Sequence, residues 1–269
     1  MKQVRSDDLT ILEVKQLSKI YGSKNVAQEV LKDINLSVDE GEFISIMGPS
    51  GSGKTTLLNV LSSIDYMTKG SIILNGKQLE KLSNKQLSEI RKKDIGFIFQ
   101  DYNILHTLTV KENIMLPLSV QKVGKEEMNR RYNRIVEALN ISDISDKYPS
   151  ELSGGQRQRT SAARAFINFP SIIFADEPTG ALDSKSTQDL LKRLTFMNER
   201  FKTTIIMVTH DPVAASFSNR VVMLKDGQIF TEIYQGDDDK QTFYKEIIRT
   251  QRLLGGVKYQ FKSEYFKKF

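Results

Sequence analysis

The feature that most constrains the fold is a glycine-rich loop, GPSGSGKT at 48–55, which directly follows the apolar run FISIM. The loop matches G-x-x-x-x-G-K-[ST], a pattern whose backbone N–H groups converge on phosphate oxygens because no side chain intervenes. The sequence therefore predicts a strand, a phosphate-binding loop and then a helix at 55–61. The alternative interpretation is a flexible glycine turn without a ligand, which the flanking strand and helix disfavour.

Length and composition indicate a folded protein. The chain has 269 residues, of which 39% are hydrophobic and 27% charged, values unlike those of disordered or fibrous chains. It has no cysteine, which excludes disulfide frameworks and thiolate metal sites. No apolar stretch approaches the roughly 18 residues of a membrane span, and the N-terminus has no signal-peptide core. We therefore expect a cytoplasmic protein.

The net charge of +6 is spread over mixed acidic and basic residues along most of the chain. Mixed charge favours a solvated surface, so we expect no nucleic-acid partner. The exception is the segment 236–269, which is predominantly basic in its later part. This tail could contact phospholipid or a protein partner, and its role is unassigned.

Residue patterns predict two kinds of sheet. Alternating apolar residues at 12–38 predict an antiparallel sheet at the N-terminus, and the dipeptides Asn-Gly at 75–76 and Asp-Gly at 226–227 predict tight hairpins. Helical spacing predicts a mostly helical insert between 101 and 150. The apolar runs SIIFADE and TTIIMVTH are typical of parallel strands covered on both faces.

Adjacent carboxylates end one of these apolar runs. Asp176 and Glu177 follow a buried strand, which is a costly position for two acids unless they meet a cation or a reacting group. We expect Asp176 to ligate Mg²⁺ and Glu177 to polarise the water that attacks a γ-phosphate. The alternative is an acid pair that caps the following turn.

Three further side chains are candidates for nucleotide contacts. His210 and Gln100 each end an apolar run, and Tyr21 precedes a glycine. We expect His210 to contact the γ-phosphate, Gln100 to contact Mg²⁺ or the water, and Tyr21 to stack on adenine. The alternatives are a structural or helix-capping histidine, an ordinary polar strand end and an exposed loop tyrosine.

A second glycine-rich stretch, LSGGQ at 152–156, precedes a helical pattern with Ala162, Ala163 and Phe166 on one packing face. The first N–H groups of a helix are free and its N-terminus is electropositive, so this stretch predicts a second anion site. The alternative is an ordinary N-capped helix start.

These motifs, in this order over about residues 10–235, resemble the ATP-binding subunit of ABC transporters. The resemblance implies an α/β fold, a P-loop NTPase of ABC type with a mostly parallel core sheet, an N-terminal antiparallel β subdomain and a helical subdomain at about 101–165. It also implies that ATP and Mg²⁺ are bound and that 152–156 of one copy closes over the ATP of a second copy.

Specific residue roles follow from the same resemblance. The residues expected to bind the nucleotide are Tyr21, Gly48, Pro49, Ser50, Gly51, Ser52, Gly53, Lys54, Thr55, Thr56, Gln100, Ser153, Gly154, Gly155, Gln156, Asp176 and Asp183. The expected metal ligands are Thr55, Gln100 and Asp176, and the expected catalytic residues are Glu177, His210 and Lys54.

The stretches 99–118 and 175–184 further resemble the branch that includes macrolide exporters and lipoprotein-release ATPases. Ala181 makes the second stretch most similar to bacitracin-resistance members. The resemblance implies an ATPase that powers a separate FtsX-like permease in antimicrobial-peptide resistance or export, peripheral at the cytoplasmic face of the membrane.

Other functions fit the same residues. They are an ATP-driven regulatory clamp on a membrane partner and an ATPase that releases lipoprotein or another lipid. A soluble ATPase of translation or DNA repair is disfavoured, because such a protein would usually carry two fused cassettes or a long coiled-coil insertion, and neither is found in this sequence. We expect the apolar segment 102–123 to receive a permease helix. Its alternative role is as core of the helical insert.

Overall fold

Two β-sheets with packed helices make up the part of the chain that the computed structural model describes, residues 10–22 and 26–254. The strands are β1 (Thr10–Tyr21), β2 (Gln28–Asp39), β3 (Phe43–Met47), β4 (Lys69–Leu74), β5 (Lys77–Gln78), β6 (Ile95–Ile98), β7 (Ile172–Asp176), β8 (Thr204–Val208), β9 (Arg220–Lys225) and β10 (Gln228–Tyr234). The helices are α1 (Lys54–Leu61), α2 (Asn84–Lys93), α3 (Val110–Val120), α4 (Lys125–Leu139), α5 (Gly154–Phe166), α6 (Ser184–Phe201), α7 (Pro212–Ala215) and α8 (Lys240–Leu253).

The smaller sheet is antiparallel and has the strand order β2-β1-β4-β5. Leu12 of β1 lies opposite Val38 of β2 and Leu74 of β4, so the alternating apolar residues meet on one buried face. Asn75 and Gly76 adopt positive φ angles of 47° and 72°, the left-handed conformation that a tight hairpin requires. The predicted N-terminal antiparallel sheet and its hairpin are confirmed.

The larger sheet has the order β10-β9-β3-β8-β7-β6, and every neighbouring pair except β9 with β10 is parallel. Its central strands are covered on both faces. Ile44 and Ile46 of β3 pack with α1 and the antiparallel sheet, whereas Phe43 packs with the helices on the opposite side. The mostly parallel core sheet is therefore confirmed, and the continuous apolar runs are explained by two-sided burial.

Helices α3 and α4 lie within 101–150, where the helical insert is predicted, and α5 packs against both of them in a layer beside the sheet. A capping box begins α3: the Thr109 hydroxyl accepts from the N–H of Glu112, whose carboxylate accepts from the N–H of Thr109. Ile114 and Leu118 of α3 are fully buried in the core of this layer. The boundary of a helical subdomain at about 101–165 stays a prediction.

Helix α8 belongs to the segment 236–269 that the sequence assigns to a basic tail. Its residues Phe243 and Ile247 are fully buried in one cluster with Met47 and Met223 of the large sheet. This part of the segment therefore packs on the core. The remaining residues, 255–269, lie outside the described residues.

Arg220 at the start of β9 ties both sheets together. Its side chain is 2% exposed, and its guanidinium donates to the backbone oxygen of Ser37 at 2.7 Å, to Glu42 at 2.9 Å and to Glu232 at 2.9 Å. A buried cation is tolerated only with such partners. The network fixes β2, β3 and β10 around β9.

Candidate nucleotide-binding site

The loop between β3 and α1 is built to bring backbone close to a ligand. Gly51 and Gly53 have φ angles of 79° and 99°, which favour glycine strongly. A Cβ atom on Gly48 would lie 2.1 Å from the backbone oxygen of Leu224, so no side chain fits there. These positions explain the glycine spacing that identifies the loop.

Lys54, the first residue of α1, is held inside the loop. Its Nζ donates to the backbone oxygens of Gly48 at 3.0 Å and Pro49 at 2.9 Å. Burial lowers the pKa of the ammonium, while the nearby carboxylates of Glu177 and Asp176 raise it. The arrangement holds a cation beside the N-terminus of α1, where phosphate groups are favoured.

The two acids lie at the carboxyl end of β7. The Thr55 hydroxyl donates to Oδ1 of Asp176 at 3.3 Å, which joins the phosphate loop to this strand. Burial raises the pKa of Asp176, the hydrogen bond from Thr55 lowers it, and the neighbouring Glu177 raises it again. The net shift is upward, as expected for a half-buried carboxylate beside another acid.

Glu177 has a strained backbone and a histidine partner. Its φ angle is 43°, in a region that costs a residue with a side chain on the order of 1–3 kcal/mol. Its N–H donates to the backbone oxygen of Val208 at 2.9 Å, and its Oε2 lies 3.0 Å from Nδ1 of His210. Strain retained at a strand end points to a functional position.

An open cavity of about 420 Å³ lies over the phosphate loop, within the size range of small-molecule sites. Its lining residues are Val30, Ser50, Gly51, Gly53, Lys54, Thr55, Thr56, Glu177 and His210. All of these except Val30 are predicted site residues. Val30 was missed because it lies on the first sheet, where the sequence gives only a strand pattern.

A somewhat larger groove of about 500 Å³ lies between α4 and α6 and includes Arg134, Arg193 and Phe196. It has no loop of backbone donors and no residue of the phosphate loop in its lining. The nucleotide interpretation therefore belongs to the smaller cavity.

The oxygen atoms of Thr55 and Asp176 suit a magnesium ion. Mg²⁺ is commonly held by a hydroxyl or one or two carboxylates, with substrate phosphates and water completing its shell. Among residues 10–22 and 26–254, no group of three or more His, Cys, Asp or Glu side chains could hold a metal ion by itself. The Thr55 hydroxyl and the Asp176 carboxylate therefore fit a metal ion that binds together with the phosphate groups of a nucleotide.

Gln100 does not line the cavity. Its amide lies against Gly180 instead: a Cβ atom on that glycine would be 3.2 Å from Nε2 of Gln100. Gly180 belongs to the turn after Glu177, since its N–H donates to the Glu177 backbone oxygen at 2.9 Å. Gln100 is therefore beside the turn that follows Glu177, and its contact with a metal or water stays a prediction.

Tyr21 lies at the end of β1, and its phenol donates to Asp65 at 2.6 Å. The hydrogen bond to Asp65 is the first cause of a raised pKa of the phenol, followed by burial, and the Thr56 hydroxyl lowers it. Tyr21 is thus next to the helix that follows the phosphate loop. Its ring remains 42% exposed and available for contact.

The second glycine-rich stretch begins α5 on a different surface. The Ser153 hydroxyl accepts from the N–H of Gln156 at 3.3 Å, and Oε1 of Gln156 accepts from the N–H of Ser153 at 2.9 Å. This capping box leaves the first N–H groups, those of Gly154 and Gly155, without an intrahelical partner. None of residues 153–156, all of them described, lines the phosphate-loop cavity.

Asp183 lies beside that helix start. Its carboxylate caps α6 by accepting from the N–H groups of Lys185 at 3.0 Å and Ser186 at 2.9 Å. A Cβ atom on Gly155 would be 2.9 Å from the Ser186 hydroxyl oxygen. The Asp183 cap and the start of α5 therefore form one surface, apart from the cavity.

Gln158 connects the two surfaces and was missed in the sequence. Its side-chain amide is fully buried and donates to the backbone oxygens of Phe99 at 3.2 Å and Pro178 at 2.7 Å. These oxygens adjoin Gln100 and Glu177. Helical spacing places Gln158 on the packing face of Ala162, which is the signal that could have identified it.

No helix in the described residues is both long and apolar enough to span a bilayer.

Comparisons with known proteins agree with this geometry. The family model described as "ABC transporter" matches residues 31–180. The chain is 58% identical over 249 residues to the bacitracin export ATP-binding protein BceA of Halalkalibacterium halodurans, covering 93% of this chain and 98% of that protein. It is 44% identical to the macrolide export ATP-binding/permease protein MacB of Aggregatibacter actinomycetemcomitans, covering 83% of this chain and 35% of that protein.

Two solved structures share the fold. A dimeric post-hydrolysis structure of the ATP-binding cassette MJ0796, bound to ADP and Pi, has a TM-score of 0.76 and 39% identity, covering 83% of this chain and 98% of that chain. The CbiO1 subunit from Clostridium perfringens, part of an ABC transporter complex, has a TM-score of 0.79 and 28% identity, covering 91% and 95%. The family match, the identities and the shared fold lead to one conclusion: the chain belongs to the ABC transporter family and is of the ATP-binding ATPase type within it.

Proposed function

We propose that two copies of this chain enclose two ATP molecules, hydrolyse them, and transmit the resulting movement to a separate membrane permease. The observation that carries the proposal is the division of the motifs between two surfaces. The phosphate loop and Glu177 line one cavity, while Ser153 and the start of α5 lie outside it. A second copy supplies the missing half of each site.

Within one chain, the loop and Lys54 bind the phosphate groups. The N–H groups at the start of α1 and the ammonium of Lys54 provide positive charge at fixed positions, so little reorganisation is needed when phosphate enters. Pro49, Ser50, Ser52 and Thr56 complete the loop around this cation. Tyr21 stacks on the adenine base.

Thr55 and Asp176 would hold Mg²⁺, and Gln100 would serve as a further ligand. When bound, Mg²⁺ supplies a positive charge that neutralises the phosphate oxygens. Asp176 is ready for this role because burial makes its charged form costly in the absence of a cation.

Glu177 acts as general base toward the attacking water, and His210 positions it. The 3.0 Å contact between Nδ1 of His210 and Oε2 of Glu177 orients the carboxylate. His210 lines the cavity and is 59% exposed, so its other ring nitrogen can reach the γ-phosphate. Lys54 stabilises the charge that develops on that group.

The second copy contributes Ser153, Gly154, Gly155, Gln156 and Asp183. The exposed start of α5 offers backbone donors and a positive helix end to the γ-phosphate of its partner's ATP. Similarity to a cassette that is dimeric in its ADP- and Pi-bound structure supports this arrangement.

The test is Ser153→Arg, which places a bulky cation where the partner's nucleotide must lie. ATP binding by the single chain should be retained and hydrolysis lost. Ser83→Arg is a matched control because Ser83 caps α2 through the same kind of box with Gln86. Each variant loses a cap worth about 1 kcal/mol. Equal activity in the two variants would contradict the shared site.

The permease and cargo are inferred from similarity to BceA. The chain serves an FtsX-like permease in resistance to bacitracin-like peptides and lies at the cytoplasmic face of the membrane through that permease. Leu105, which precedes α3, and Val120, the last residue of α3, are exposed, whereas the inner face of the helix is core. These two exposed residues form the permease contact.

Deletion of the gene tests the cargo. Sensitivity to bacitracin-like peptides should increase, and the permease should co-purify with the chain from membranes. Co-purification of the permease with unchanged drug sensitivity would favour a regulatory clamp or lipid release. Ribosomes or DNA in the purified material would contradict a transport role.

A further inference from the structure

Tyr21 is held by a network that the established motifs do not include. Its phenol donates to Oδ2 of Asp65 at 2.6 Å. The other oxygen of that carboxylate, Oδ1, accepts from Nζ of Lys19 at 2.7 Å and from the N–H of Tyr66 at 2.7 Å. Both oxygens of Asp65 are therefore engaged, one of them by the tyrosine.

Lys19 also contacts the ring itself. Its Nζ lies 4.6 Å from the centroid of the Tyr21 ring, within the range of a cation–π interaction. The same ammonium donates to the backbone oxygen of Tyr66 at 2.6 Å, and the residue is only 8% exposed. A fixed cation therefore lies over the ring, while Tyr21 remains 42% exposed and accessible to a ligand.

The carboxylate at the centre of the network is charged. Burial raises the pKa of Asp65, but the hydrogen bonds from Lys19 and Tyr21 and the charge of Lys19 outweigh it, so the pKa is lowered. A charged acceptor makes the hydrogen bond from a phenol shorter and stronger than a neutral one would.

The network connects the Tyr21 ring to α1, the helix that begins at the phosphate loop. Asp65 follows α1, whose first residue is Lys54. The N–H groups of Ile64 and Asp65 donate to the backbone oxygen of Asn59 at 2.9 and 3.0 Å, which fixes Asp65 against the end of that helix. The distance from the phosphate loop to the ring is thus set by α1 and the turn that follows it.

We propose that Asp65 and Lys19 are positioning residues for nucleotide recognition: they fix the ring of Tyr21 so that its exposed surface receives the purine base of ATP. The proposal rests on the role of Tyr21 proposed above and adds the residues that make it effective. A ring ordered before binding loses less side-chain entropy when the base arrives.

The decisive variant is Tyr21→Phe, which keeps the aromatic face and removes the hydroxyl that bonds to Asp65. Affinities for ATP and for inorganic tripolyphosphate, both with Mg²⁺, should be measured by calorimetry. Tripolyphosphate occupies the phosphate loop and has no base. We expect ATP affinity to fall by about two- to tenfold, the range of one aromatic stacking contact, and tripolyphosphate affinity to stay unchanged.

Asp65→Ala should weaken ATP binding to a similar extent, and the double variant should be no weaker than Asp65→Ala alone, because the hydroxyl then has no partner to lose. Tyr66→Phe is the matched control: it removes a neighbouring phenol that bonds to Asn84 instead. It should bind both ligands like the unmodified chain.

Other outcomes overturn the proposal in distinguishable ways. Normal ATP affinity in Tyr21→Phe, with weakened affinity in Tyr21→Ala, would mean that the ring acts without positioning. Parallel loss of ATP and tripolyphosphate affinity would mean that the network merely supports the phosphate loop. Normal ATP affinity in Tyr21→Ala would show that Tyr21 does not contact the base, which contradicts that part of the proposed function. The proposal that two copies share each hydrolysis site would be unaffected.

Discussion

Replacing Glu177 by glutamine is the sharpest single perturbation of the proposed chemistry. Glutamine has nearly the same volume, so the variant Glu177→Gln fits the same space. The backbone bonds that hold the residue, from its N–H to Val208 and from Gly180 to its C=O, do not depend on the side chain. The amide can still bond to His210. The substitution therefore removes one property, the ability to accept a proton.

The expected magnitude follows from that property. General base catalysis contributes about 100- to 10,000-fold to a rate, or roughly 3–5.5 kcal/mol of the activation barrier. Stability should change little, because a half-buried charge beside Asp176 is removed and no packing is lost. ATP should bind at least as tightly, since repulsion near the phosphates is reduced, and the enclosed dimer should persist because its nucleotide is not consumed.

Phosphate release at saturating ATP measures the catalytic loss, and gel filtration with Mg²⁺ and ATP measures the dimer. Glu137→Gln is a suitable control because this exposed carboxylate lies on α4, outside the nucleotide cavity. A turnover number within about threefold of the unmodified chain would refute the general-base role, because the expected loss is far larger.

Two further predictions concern charge and stability. Asp176→Asn should abolish Mg²⁺-dependent hydrolysis yet raise the Tm of the nucleotide-free protein at neutral pH. The folded state raises the pKa of Asp176 and therefore bears the cost of the charge above that pKa, so the gain in Tm should vanish as the pH falls below the ordinary carboxyl range. An unchanged or lower Tm at neutral pH would contradict this reasoning. Arg220→Met leaves the carboxylates of Glu42 and Glu232 without their cation. The free energy of unfolding, measured in urea, should fall by about 3–5 kcal/mol. A decrease below about 1 kcal/mol would show that the network does not join the sheets.

Much of the fold could be predicted because local patterns determine it. The two-sided burial of β3 produces an uninterrupted apolar run, and the hairpin at 75–76 needs residues that tolerate positive φ. Helix α8 was not predicted, since charge dominates its segment. Its apolar residues Phe243 and Ile247 are spaced for a helix, but only the apolar surface formed by α7 and the large sheet gives that face a place to pack.

The site was predictable to a similar degree. Backbone geometry requires the glycines of the phosphate loop, and Lys54 supplies a cation held inside it, so this motif could be recognised from its local sequence. Asp65 lies 44 residues from Tyr21 and 46 from Lys19, and Gln158 bonds to backbone oxygens 59 and 20 residues away in the sequence. No local sequence pattern predicts such contacts. Their side chains are ordinary lysine, aspartate and glutamine until the fold brings them to the site.

The most direct test of a shared reaction centre is a mixing experiment with two inactive variants, Ser153→Arg and Glu177→Gln. In a mixed dimer, the first chain keeps its own Glu177 and receives an intact Ser153 from the second, so one complete site forms. Random pairing makes half of the dimers mixed, and each has one such site, so the mixture should regain about a quarter of the unmodified activity. If each chain completes its own site, the mixture will stay as inactive as its components, and the proposed arrangement will be wrong.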